Sequence, residues 1–157
     1  MAPPRRHQLP WRIGGPAKRE TRTQFGALPF RRKKGGLEIL LVSSLDTGRW
    51  IIPKGWPVDG MTPADAAARE AWEEAGARGR VHEACVGHYS YSKYLDEDLS
   101  LPVIVAVFGL EVQRLDDRFP EQGTRKRRWF TPGKAAARVD EPDLKQIIRA
   151  FDPGRPR

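Results

Sequence analysis

Gly55 to Ala77 reads GWPVDGMTPADAAAREAWEEAGA, a glycine- and proline-rich loop that runs into a helix ending on glycine. The start of the helix is marked by three residues. Thr62 can cap it, Pro63 suits the first helical position, and Asp65 follows three after the cap. The helix is expected to run to about Ala75, with Gly76 as a left-handed stop. At 100° per residue, Ala64, Ala67, Ala68, Ala71 and Ala75 share one face, small enough to lie close on a sheet. Glu70, Glu73 and Glu74 occupy another side, spread over about 100°. Arg69 and Glu73 are four apart and can pair along the helix.

Glu70 and Glu74 stand one turn apart, so their carboxylates can meet at one or two ions. Mg²⁺ is hard and octahedral and prefers carboxylates, waters and phosphate oxygens. Clustered acids repel one another unless a cation lies between them. Arg69 can orient a glutamate by charge-assisted hydrogen bonding. The loop Lys54 to Gly60 can approach a ligand through backbone N–H groups, helped by Gly55 and Gly60. A solvated acidic helix face would explain an isolated EAWEEAG equally well. The capped start, the glycine loop and the basic surroundings favour a metal beside a phosphate.

Outward from this stretch, Thr21 to Phe30 and Leu37 to Ser43 read as strands joined by a basic hairpin turn, Arg31 to Gly36. Arg49 to Pro53 reads as a short strand closed by proline. Val81 to Tyr94 reads as strand broken at Gly87, and Leu101 to Val112 as the central, most apolar strand. Arg125 to Phe130 is a short strand with a basic edge. Short helices follow from Pro132 to Ala137 and from Glu141 to Phe151, the second with Leu144, Ile147, Ile148 and Phe151 at helical spacing. This mixture predicts an α/β or α+β domain, a mixed sheet between helices. Cys85, in an apolar context, reads as a buried small residue. His82 and His88 lack a zinc spacing, and Asp96 to Asp98 read as a solvated turn.

The 157 residues give one domain with a real core, read as residues 21–153 behind a basic, disordered arm at 1–20. Formal charge is +8 and the pI about 10.1. That balance favours a polyanionic partner. A single cysteine excludes an intramolecular disulfide and fits a reducing, cytoplasmic setting. No apolar run approaches a membrane span, and the N-terminus lacks the apolar stretch of a secretory signal.

The stretch resembles the Nudix box: glycine, five residues, glutamate, seven residues, Arg-Glu, an aliphatic residue, any residue, Glu-Glu, any residue, glycine and an aliphatic residue. Gly55, Arg69, Glu70, Ala71, Glu73, Glu74, Gly76 and Ala77 fall in register. Met61 departs from it, standing where the family has its first glutamate, which helps shape the loop and the helix start. Asp59 or Asp65 would be its compensation. Leu41 to Ser44, Arg49 to Pro53, and Arg125 to Arg127 with Trp129-Phe130 look like the diphosphoinositol polyphosphate phosphohydrolase branch. The similarity spans roughly residues 22 to 150.

The resemblance implies an α/β/α sandwich with a mixed central sheet, and hydrolysis of a diphosphate linkage assisted by Mg²⁺ or Mn²⁺. It implies Glu70 and Glu74 as metal ligands, Glu73 as ligand or helper, and Arg69 as their orienter. Glu70 or a loop acid would deprotonate the attacking water. In the branch the substrates are diphosphoinositol polyphosphates and dinucleoside polyphosphates. Arg22 and Ser44 resemble its phosphate-contacting positions, and Arg49, Lys54, Gly55, Arg125 and Arg127 can meet substrate charge. Arg125 and Arg127 equally fit a guarded sheet edge. Other readings stay open: an enzyme acting on RNA 5′ ends or nucleotide sugars, a Nudix-fold module that binds without cleaving, or nucleic-acid binding through the basic surface.

Overall fold

A computed structural model describes residues 21–154. The chain runs β1 (Arg22–Lys33), β2 (Gly36–Ser43), β3 (Trp50–Ile51), β4 (Lys54–Gly55), α1 (Pro63–Ala75), β5 (Ala77–Asp96), β6 (Leu99–Leu115), β7 (Arg127–Phe130), α2 (Pro132–Arg138) and α3 (Pro142–Ala150). The strands form one mixed sheet in the order β3-β2-β1-β6-β5, with β4 added to β1 and β7 added to β2. β1 and β6 pair in parallel, and the other pairs are antiparallel. The expected basic arm at 1–20 and the last three residues lie outside the described part.

Strand alternation sorts the core into two layers. On one face Leu28, Phe30, Ile39, Leu41, Ile52, Val103 and Val105 pack with Ala135, Leu144 and Ile148 of α2 and α3. On the other, Ala27, Leu40, Val42 and Phe108 pack with Ala64, Ala67, Ala71 and Ala75 of α1. The alanine face foreseen from periodicity is therefore the contact with the sheet. Helices on both faces of a mixed sheet make the expected three-layer α/β/α arrangement.

α1 begins as its sequence dictates. The Thr62 side chain accepts from the Asp65 N–H at 3.1 Å, and Pro63 opens the helix. Gly76 closes it at φ 67° and donates its N–H back to the last turn. A Cβ there would lie 2.6 Å from the Phe119 ring and 2.7 Å from the Asp116 carbonyl. Glycine is thus required twice, by conformation and by space.

Several boundaries differ from the sequence reading. β1 continues to Lys33, so Arg31 and Arg32 belong to the ladder, paired with Glu38 and Leu37. The strand expected over 49–53 divides. Pro53 has no N–H for a ladder, and its carbonyl accepts from the Ala27 N–H at 2.9 Å. The chain thereby leaves β2 and resumes as β4 on β1. β5 is longer than foreseen and carries register shifts between Val81 and Cys85 and between Cys85 and Gly87. These bulges turn Cys85 outward, so it is exposed rather than buried. A Cβ on Gly87 would lie 2.8 Å from Ile147, so α3 rests on the bare backbone there.

Candidate active site

The acids of α1 are not a solvated face. Glu70, Glu73 and Glu74 are only 2%, 8% and 6% exposed. Burying charged carboxylates is costly without partners, and partners converge from three segments. Glu73 accepts from Arg69 Nε at 2.9 Å, the i,i+4 pair foreseen. Glu74 Oε2 accepts from the Lys54 N–H at 3.0 Å, so β4 gives this backbone donor to the helix acid rather than leaving it for a ligand. Glu74 Oε1 accepts from Arg125 Nη2 at 3.3 Å.

Arg125 is locked on three sides. It also donates to the Ser43 carbonyl at 3.1 Å and to Glu121 at 3.2 Å. Glu121 in turn belongs to a loop clasped to α1, its N–H bonding the Glu73 carbonyl at 3.0 Å. Burial pushes the Glu74 carboxyl up to about 7, against the opposing pull of Arg125 and Lys54. The same burial lowers the Lys54 ammonium below its ordinary value, against the pull of Glu74.

The opposite face of the sheet supplies a second wall. Arg22, Val103 and Tyr91 lie in one row across β1, β6 and β5, and Gln24, Val105 and Tyr89 in the next. Tyr91 donates its hydroxyl to Gln24 Oε1 at 2.7 Å. The Lys54 ammonium rests 4.8 Å above the Tyr91 ring. Arg49 bonds Glu141 at 2.6 Å, and Asp140 stands 3.7 Å away. Glu141 is the N-cap residue of α3, yet its side chain makes no cap bond. It is directed to Arg49 instead.

Arg49 and Arg125 both act electrostatically on Lys54, and Glu74 and Glu141 act on it in the opposite sense. The structure therefore gathers Glu70, Glu73, Glu74, Arg69, Lys54, Gly55, Arg49 and Arg125 around one end of the sheet. Arg22 lies on the wall beside Tyr91. Arg127 is elsewhere: its Nη1 donates to the carbonyls of Ala75 and Asp116 at 2.7 and 2.8 Å, binding the C-terminal end of α1. Ser44 sits in the turn after β2, its hydroxyl 3.1 Å from that of Thr47. Met61 is 38% exposed at the turn before α1.

Sequence reasoning missed Glu121, Glu141 and Gln24. Glu141 meets Arg49 across 92 residues, and Gln24 meets Tyr91 across 67. No spacing rule reaches such pairs. Glu121 carried a faint signal, standing four residues before Arg125.

Among the described residues, no three His, Cys, Asp or Glu side chains form a ready metal cage. The donor chemistry nonetheless fits a hard divalent ion. Such an ion needs only one or two carboxylates, with waters and substrate phosphates completing its shell. Glu70, Glu73 and Glu74 are the buried carboxylates nearest to hand on α1, with Arg69 on Glu73 and the Lys54 N–H and Arg125 on Glu74.

A NUDIX domain family model matches residues 20–151. Nudix hydrolase 16, mitochondrial, of Arabidopsis thaliana is 30% identical over 141 residues, which cover 82% of this chain and 78% of that protein. Nudix hydrolase 12, mitochondrial, of the same plant is 34% identical over 126 residues, covering 70% of this chain and 62% of its own. Among solved structures, the C. elegans Ap4A hydrolase superposes with a TM-score of 0.59 at 22% identity, over 83% of this chain and 95% of that one. The NUDIX domain of Shewanella oneidensis NrtR complexed with ADP ribose gives 0.61 at 13% identity, over 88% and 92%. At those identities the two structures speak for the fold alone.

Proposed function

The chain belongs to the Nudix family and is a Nudix hydrolase, and on that premise we propose that it uses Mg²⁺ to cleave a diphosphate linkage in a polyphosphorylated small molecule. The substrate class is a diphosphoinositol polyphosphate or a dinucleoside polyphosphate, in keeping with the branch that Arg49 to Pro53 and Arg125 to Phe130 resemble. One observation carries the reading. Three buried carboxylates on α1 share a site with Lys54, Arg125 and Arg49, which is the charge pattern needed to hold a polyphosphate against a metal.

Each residue then has a task. Bound Mg²⁺ would shield phosphate charge and acidify a water. Glu70 and Glu74 would hold it. The Lys54 N–H and Arg125 fix the orientation of Glu74, one on each oxygen. Arg69 holds Glu73 against the helix. The Lys54 ammonium, without an ion-pair partner among the described residues, is available to substrate phosphate. Arg49 is held out by Glu141 at the same end of the sheet. Glu70 is the buried acid to test as general base for the attacking water.

The test is hydrolysis of diphosphoinositol phosphates, diadenosine tetraphosphate and 5′-triphosphorylated RNA, side by side, with Mg²⁺ and with Mn²⁺, read as phosphate or pyrophosphate release for the first and last and as nucleotide products for the tetraphosphate. The reading expects one of the first two to be turned over fastest and only with metal. Preferential turnover of the RNA would replace it. Tight binding without any product would make the chain a ligand sensor.

A further inference from the structure

Two lysines in this site share one arrangement, and the chemistry proposed so far employs only the first of them. Lys54 and Trp56 are two residues apart where β4 leaves the sheet, and Tyr91 and Lys93 are two apart on β5, on one face of that strand. The four pair reciprocally. Lys54 places its ammonium 4.8 Å from the centre of the Tyr91 ring, and Lys93 places its own 5.1 Å from the centre of a Trp56 ring. Each segment thus offers one cation and one aromatic face to the other.

Resting on the hypothesis of a phosphoanhydride hydrolase, we propose that Lys93 is a second substrate-phosphate contact beside Lys54, and that it favours substrates whose phosphate chain extends beyond a diphosphate.

Three observations support this. Among the described residues, neither ammonium forms an ion pair, although eleven such pairs involve other side chains. Lysines of purely structural use ordinarily find a carboxylate or full solvent. Burial lowers the Lys93 ammonium below its ordinary value. The Lys54 N–H bonds Glu74 at 3.0 Å, and Trp56, two residues further on, carries Lys93, which ties both cations to the segment that reaches this acid. Finally, an aromatic face holds a cation in place without neutralising it, so the charge stays available to an anion. Lys54 already serves the phosphates nearest Glu74, which Arg125 orients. A further positive group on the β5 side has an anion to meet only if the chain of phosphates continues.

The experiment compares the full-length protein with Lys93→Met and Lys93→Arg on diadenosine tetraphosphate and on ADP-ribose, in Mg²⁺. Methionine keeps the aliphatic packing on Trp56 and removes only the charge. The KM for the tetraphosphate should rise about tenfold in Lys93→Met, with the KM for ADP-ribose and both kcat values within about twofold. Lys93→Arg should restore the tetraphosphate KM. An equal KM change on both substrates, or none on either, would overturn the assignment, since packing alone treats both alike. Should the wild type cleave neither compound nor a diphosphoinositol polyphosphate, the proposed activity fails separately. Calorimetric affinities of the Mg²⁺-loaded protein for the same two ligands then decide Lys93, with the same tenfold and twofold expectations.

Discussion

Arg125 reaches Glu74 at 3.3 Å with both side chains less than a tenth exposed, joining the loop before β7 to the last turn of α1. The pair spans 51 residues and lies where the helix, β4 and the end of β2 meet. A buried carboxylate that loses its cation is left uncompensated, at a cost of about 3–5 kcal/mol.

Arg125→Ala should therefore lower stability by about 3–5 kcal/mol at pH 8. The loss should be smaller at pH 5, where Glu74 is protonated and needs no counter-charge. Urea unfolding at the two pH values reads this directly. An equal loss at both would mean that Arg125 acts through Ser43 and Glu121 rather than through Glu74.

Glu74 also sets a pH dependence for the metal-free protein. Its carboxyl is raised in the folded state to about 7 from an ordinary 4.5. A folded value above the unfolded one means that the fold binds the proton more tightly. The contribution of this group is complete below about pH 4.5 and is lost as pH rises through 7. Metal competes with that proton, so apparent Mg²⁺ affinity should climb over the same window. Metal titrations by calorimetry between pH 5 and pH 8 check it, and a flat affinity would contradict it.

Gly76 offers a test of the fold apart from the chemistry. At φ 67°, with Phe119 and Asp116 where a Cβ would stand, Gly76→Ala should cost at least about 1–3 kcal/mol. Thermal melts would show it. Gly123, with φ 80° and open space within 4 Å of where its Cβ would stand, is the control: Gly123→Ala should cost only the backbone strain.

The helix α1 was legible almost to the residue, because Thr62, Pro63 and Gly76 are local signals that tertiary structure did not override. The three-layer arrangement followed from the alanine face and the apolar strands. The division of β3 from β4 was not legible, since it depends on Pro53 handing its carbonyl to Ala27. The apolar neighbours of Cys85 mislead, because a bulge decides which way it points. Within the site, the acids and Arg69 came from fixed spacing along one helix. Glu141 and Gln24 came from strand register and helix placement, which a pattern along the chain does not encode. Arg125 and Arg127 looked alike in sequence. The structure separates them, giving one to Glu74 and the other to the carbonyls of Ala75 and Asp116.

The central claim is that the buried acids of α1 hold the metal that makes this chain a hydrolase, and Glu74→Gln tests it most directly. Glutamine keeps an oxygen for the Lys54 N–H and removes a buried charge, so the fold should survive with an unchanged circular dichroism spectrum. Nucleotide formation from diadenosine tetraphosphate, or phosphate release from a diphosphoinositol polyphosphate, in Mg²⁺ should fall about 10²–10³-fold. Turnover within about twofold of wild type, in a folded Glu74→Gln protein, would contradict the account.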